Sequence, residues 1–218
     1  MSDFNNNFWS LYVAGLTVVS ILACLALLWI TARKPEELAG DPVAMGVGER
    51  LFMNNCSQCH GSDARGSKGF PNLADADWLY GGGTAQIRET ITAGRHGAMP
   101  AMGAAVGSPD DVKNVAQYVL SLSGGPHDSV RAQLGKSKFG ACAACHGVDG
   151  KGNQALGAPN LADDTWLHGW GEPAISAMIN KGKVSDMPGQ AGKLTEAQIH
   201  VLTGYVWGLS NKAVAAKP

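Results

Sequence analysis

The sequence predicts an all-α chain, one N-terminal transmembrane helix followed by two tandem copies of a small helical domain. Three observations carry that expectation. An apolar run covers residues 8–32 with no charge between Asp3 and Arg33; a Cys-x-x-Cys-His block occurs twice; and amphipathic periodicity closes each copy. The 218 residues suit one or two small domains. A net charge of -1 argues against nucleic acid as a partner, because phosphate binding needs a basic excess.

The first element is the run FWSLYVAGLTVVSILACLALLWITA. At about 1.5 Å per residue it is long enough to cross a hydrocarbon core of roughly 30 Å. Trp9 and Tyr12 near one end and Trp29 near the other suit the two membrane interfaces. A cleaved signal peptide fits poorly, since Asp3 stands where such a leader carries positive charge. We therefore expect residues 1–34 to form a membrane anchor that spans over 8–32.

The repeat defines the next elements. Cys56-Ser-Gln-Cys59-His60-Gly recurs as Cys142-Ala-Ala-Cys145-His146-Gly, 86 residues later. PNLADADWLYGGG from Pro71 then matches PNLADDTWLHGWG from Pro159 at nine of thirteen positions, now 88 residues apart. Met99-Pro100 maps to Met187-Pro188 at that second offset. Domain 1 is read as 35–123, domain 2 as 127–211, with Gly124-Gly125-Pro126 as linker and 212–218 as a tail.

Within each copy a helix closes the domain. Ser108-Pro109-Asp110-Asp111 supplies a cap, a proline in the first turn and an acid, ahead of Val112, Val115, Val119 and Leu122 at helical spacing. Thr195 and Gln198 form the equivalent capping box before Ile199, Leu202, Val206 and Leu209. Shorter helices are expected over 85–92, 173–180 and 42–54, and no alternating run is long enough for a sheet. About 85 residues with so few elements bury a poor core unaided, so something else is expected to fill the middle of each domain.

Two cysteines three positions apart, followed directly by histidine, suit covalent haem attachment. Each thiol can form a thioether with a porphyrin vinyl group, and the adjacent imidazole is placed beneath the iron. The rivals are a zinc site, which wants four ligands, and a thioredoxin-like dithiol, which wants a βαβ context. The pattern predicts two haem c, held by Cys56, Cys59 and His60 and by Cys142, Cys145 and His146. Met99 and Met187, each in a Met-Pro after a short helix ending in glycine, are the chosen distal ligands. His96 and Met102 compete with Met99 for the first iron, although Val184 and Gln190 replace them in the second copy. Trp78 and Trp166 are expected near the haem, either as packing or with an indole N–H on a propionate.

CxxCH, a downstream Met-Pro and a closing amphipathic helix resemble class I cytochrome c domains. Their tandem arrangement, with PNLxDxxWL and an N-terminal span, resembles the dihaem cytochrome c subunit of cbb3-type cytochrome c oxidases. The resemblance implies an electron carrier, not catalytic alone, in the bacterial inner membrane with its haem domains on the periplasmic side. It implies as partners a donor cytochrome c, a monohaem cytochrome c subunit and the haem-copper catalytic subunit. A stand-alone membrane-bound dihaem cytochrome, a dehydrogenase haem subunit and a dihaem peroxidase are the alternatives. Arg33 and Lys34 assign the C-terminal end of the span to the cytoplasm, which conflicts with periplasmic haems on a single span. We expect a further segment, absent from this chain, near Lys34 and Pro35.

Overall fold

The computed structural model describes residues 2–211, so the expected tail over 212–218 lies outside the described residues. In chain order the elements are α1 (Ser2–Ala32), α2 (Pro35–Leu38), α3 (Pro42–Asn55), α4 (Ser57–His60), α5 (Thr84–Ala93) and β1 (Gly94–Met99). They continue with α6 (Gly103–Val106), α7 (Pro109–Leu122), α8 (Ser129–Lys138), α9 (Gly140–His146), α10 (Glu172–Lys181), β2 (Lys183–Pro188) and α11 (Glu196–Ser210).

The expected fold class is corrected on two counts. Among the described residues no helix is long and apolar enough to cross a membrane, so the expected transmembrane helix over 8–32 is not upheld. Helix α1 forms over Ser2–Ala32. The chain is also not purely α. β1 and β2 pair antiparallel, from Gly94 opposite Pro188 to Met99 opposite Lys183. Half of the backbone partners come from each repeat, so neither strand pairs within its own copy and no hairpin pattern marks them.

Local chemistry sets the helix starts. The Asp41 carboxylate accepts from the Val43 and Ala44 amides at 2.9 and 3.0 Å and caps α3. α7 and α11 both begin with complete capping boxes, Ser108 with Asp111 and Thr195 with Gln198.

Three buried clusters result among the described residues, the smallest joining Leu38 and Ala44 to Val201, and each mixes the repeats. Val112, Val115, Val119 and Leu120 of α7 bury against Phe139, Ile175 and Ile179. Ile199, Leu202 and Val206 of α11 bury against Phe52, Ile87 and Ile91. The closing helix of the first repeat thus packs on α8 and α10, while that of the second packs on α3 and α5.

Candidate functional site

Each CxxCH block lies at the end of a short helix that a positive-φ glycine terminates. Gly61 (φ 79°) ends α4 and Gly147 (φ 78°) ends α9, turning the chain away directly after His60 and His146. The turn is held the same way in both copies, the Gly66 amide donating to the His60 carbonyl at 2.7 Å and the Gly152 amide to that of His146 at 2.8 Å.

Both imidazoles are buried, each only 8% exposed. His60 Nδ1 lies 2.9 Å from the Pro71 carbonyl oxygen, and His146 Nδ1 lies 3.0 Å from that of Pro159. A carbonyl can only accept, so each Nδ1 carries the proton and each Nε2 keeps its lone pair for a metal. Pro71 and Pro159 are equivalent positions of the repeat. Their carbonyls are functional groups that the sequence reading missed, although Pro-Asn-Leu recurring downstream of each CxxCH, 11 residues after His60 and 13 after His146, was the available signal.

The four thiols are free; Cys56 and Cys142 are half-buried, whereas Cys59 and Cys145 are exposed. Burial, reinforced by the neighbouring Cys59, pushes the Cys56 thiol up to about 11, and Cys142 shifts in the same direction for the same reason with Cys145. A redox dithiol needs a depressed thiol, the opposite of this setting. Cys56 packs at the edge of the core containing Phe52, Ile87 and Ile91 with Trp78 beside it. Cys142 packs at the edge of the core containing Phe139, Ile175 and Ile179 with Trp166 beside it.

One buried side-chain polar atom has no hydrogen-bond partner among the described residues, Trp166 Nε1. A buried donor left unmade costs about 1–3 kcal/mol, so an acceptor is called for at this point. Free thiol pairs, an imidazole with Nε2 presented, and an orphaned indole N–H beside the second pair together fit a haem with its propionate.

Met99 and Met187 are half-buried at the far ends of β1 and β2. The competitors for the first iron have these contacts. His96 Nδ1 pairs with the Asp186 carboxylate across the sheet, and Met102 packs against the core beside Cys142. Of the remaining histidines, His127 Nδ1 meets the Gly125 carbonyl at 2.8 Å and His200 Nε2 that of Arg33 at 2.8 Å. Burial, with Lys183 and Lys68 nearby, lowers the pKa of His168. Among the described residues no group of three or more His, Cys, Asp or Glu could hold a metal ion.

A family model described as cytochrome C oxidase, cbb3-type, subunit III matches residues 44–119 and again 132–206. The chain is 45% identical to the cbb3-type cytochrome c oxidase subunit CcoP of Rubrivivax gelatinosus over 302 residues, covering 99% of both chains. That alignment is longer than the 218 residues of this chain, so the relative carries a long stretch with no counterpart here. Identity to the FixP subunit of Azorhizobium caulinodans is 44%, over 80% of this chain and 61% of the relative. Identity to the CcoP subunit of Cereibacter sphaeroides is 39%, over 79% of this chain and 64% of the relative. The chain thus spans less than two thirds of these last two relatives.

Proposed function

The chain belongs to the cbb3-type cytochrome c oxidase subunit III family, and from that premise we propose that it is a dihaem electron relay feeding the catalytic core of a terminal oxidase. It is a cytochrome c subunit of the oxidase, and covalently bound haem c is what that family implies. The finer reading is two haems in one chain, supported by the repeated imidazole anchor: His60 on Pro71 and His146 on Pro159, within 0.1 Å of the same length.

When bound, haem c supplies a reversible one-electron couple at iron. The residues of this chain do the rest. Cys56 and Cys59, and Cys142 and Cys145, would hold the two groups by thioethers. The carbonyls of Pro71 and Pro159 keep the proton on Nδ1, aim Nε2 and raise its basicity. Met99 and Met187 would hold the irons through their thioethers, chemistry that would favour the reduced state. Trp166 Nε1, buried without a partner among the described residues, would donate to a propionate of the second haem.

The immediate partners are the other oxidase subunits, the haem-copper catalytic subunit and a monohaem cytochrome c subunit, with a donor cytochrome c upstream. Membrane association follows from membership of that complex, and we assign the haem-bearing part to the periplasmic side of the bacterial inner membrane. The test is a haemochrome assay on the pure chain together with its visible and near-infrared spectrum. Two haems per chain with His/Met signatures are expected, co-purifying with the haem-copper subunit. One haem or none, or rapid cyanide binding to either, overturns the relay.

A further inference from the structure

The duplication gives the two repeats a pair of equivalent joints, and the two are not alike. At the first joint a hairpin of the second repeat lies on Tyr80, so that a Cβ built on Gly157 would sit 2.2 Å from the Tyr80 ring. The Arg95 guanidinium lies 4.7 Å from the centre of the same ring. Its charge is met by the Glu89 carboxylate at 3.1 Å, and its side chain is only 20% exposed. This joint is filled and electrically balanced.

Eighty-eight residues apart, Tyr80, Arg95 and Glu89 correspond to His168, Lys183 and Ala177, and Gly69 corresponds to Gly157. A Cβ on Gly69 meets nothing within 4 Å, so the space that Tyr80 fills at the first joint is open at the second. Ala177 offers Lys183 no carboxylate in place of Glu89. Lys68 adds another positive charge, its Nζ 3.8 Å from a Cβ built on Gly169. The hairpin that carries Lys68 is held here by the Gly69 amide, which donates to the Leu167 carbonyl at 2.8 Å. Burial first, then Lys183 and Lys68, lower the pKa of His168. Among the described residues neither lysine forms an ion pair. Beside them in the chain Phe70 and Val184 are 41% and 56% exposed, where the first joint has Ala158 and His96. Exposed apolar side chains next to uncompensated like charge suit a contact with a protein of the opposite charge.

We propose that Lys68, His168 and Lys183, with Phe70 and Val184, form a docking surface for the acidic face of a redox protein that gives electrons to this chain. The proposal rests on the relay reading above and adds to it the place and the charge of the partner contact. A carboxylate of the partner enters the open space over Gly69 and supplies the negative charge that Glu89 supplies at the first joint. The first joint takes no such partner, because Tyr80 and Glu89 already occupy it. A patch of this size suits a transient electron-transfer encounter, in which opposite charge sets the rate of association.

The test uses the full haem-loaded chain and one probe in two forms: mitochondrial cytochrome c, which is basic, and the same protein with its lysines succinylated, which presents carboxylates instead. Titration calorimetry should show the succinylated form binding more tightly, with an affinity that falls as salt is added. Lys68→Glu with Lys183→Glu should weaken that binding by about tenfold or more. Lys113→Glu, the same charge change on the exposed face of α7, should leave it unaltered. His168→Tyr, which restores the ring of the first joint, should weaken it without a change of charge on either lysine. Tighter binding of the basic form, or equal binding by the double variant and Lys113→Glu, overturns the docking surface. So does a double variant that shifts the potential of a haem in this chain while binding stays the same, since the anion at the joint is then a propionate. Stopped-flow mixing of the reduced succinylated probe with the oxidised chain tests the relay separately, one electron leaving the probe and entering the chain. Binding that follows the lysines with no electron passed upholds the surface and overturns the relay.

Discussion

Gly97 of the first repeat and Ser185 of the second, equivalent positions 88 residues apart, face each other at the centre of the two-stranded sheet. The pairing is consequently two-fold about this point. Met99 meets Lys183 as Met187 meets Arg95, the equivalent residue. A duplicated sequence has made an isologous contact with itself inside one chain, the arrangement that a symmetric dimer uses between subunits.

The glycines that flank this sheet set the first prediction. Gly182 has φ +67° and Gly94 φ +78°, and a methyl on either would meet the other repeat's backbone. Gly124, with φ +71° and open space around it, carries only the conformational penalty. Gly124→Ala should cost roughly 1–2 kcal/mol. Gly182→Ala and Gly94→Ala should each cost more, about 2–3 kcal/mol, because backbone must move as well. Midpoints of denaturant unfolding for the three variants check the ranking, and equal losses would contradict it.

A second prediction concerns the closing helices. Ser108 and Thr195 each accept from the amide three residues on, at 3.2 and 3.3 Å. Ser108→Ala and Thr195→Ala should each lower stability by about 1 kcal/mol. Their local effects should cross over. Ser108→Ala weakens α7 and so should raise amide exchange around Phe139 and Ile175, not around Phe52. Hydrogen exchange by mass spectrometry distinguishes the two.

These caps were legible in the sequence because they are local: Ser108 to Asp111 and Thr195 to Gln198 span three residues each. The CxxCH blocks, the repeat and the amphipathic faces of α7 and α11 were legible for the same reason. The sheet was not, since Gly-Arg-His-Gly-Ala-Met has no alternation and its partner lies in the other copy. Nor was the crossing of the closing helices, because Val112, Val115 and Val119 present the same apolar stripe whichever repeat they pack against. Helix α8 escaped notice because it buries only Ala132 and Gly135, and Gly135 reads as a helix breaker. Its role is steric: a Cβ there would lie 2.0 Å from the Asn114 carbonyl oxygen of α7.

The third prediction is a pH dependence. Burial first, then the charges of Asp163 and Asp75, raises the pKa of Asp77. The unfolded carboxyl ionises at about 3.9, before the folded one, so the folded state binds more protons between the two values. Asp77 therefore lowers stability as pH rises through that window, and its penalty is complete above the folded pKa. Asp77→Asn should raise the melting temperature at pH 7 and have no effect below pH 3. An equal shift at both pH values would show that the amide acts through packing and not through charge.

The last prediction follows from the orphaned indole. Trp166 Nε1 is buried without a partner among the described residues, while the core beside it holds Cys142. If a propionate of the second haem accepts this N–H, the bond offsets part of a negative charge close to the iron. Removing it leaves that charge less compensated, which favours the ferric state. Trp166→Phe should consequently lower the potential of the haem on Cys142 and Cys145 and leave the other unchanged, a tenfold change in equilibrium constant corresponding to about 59 mV for one electron. Potentiometry of the two-haem protein, with the haem identified by comparison with the Cys56→Ala and Cys59→Ala chain, reads the effect directly. A rise in that potential, or no movement, would mean that the indole packs against the porphyrin without donating to it.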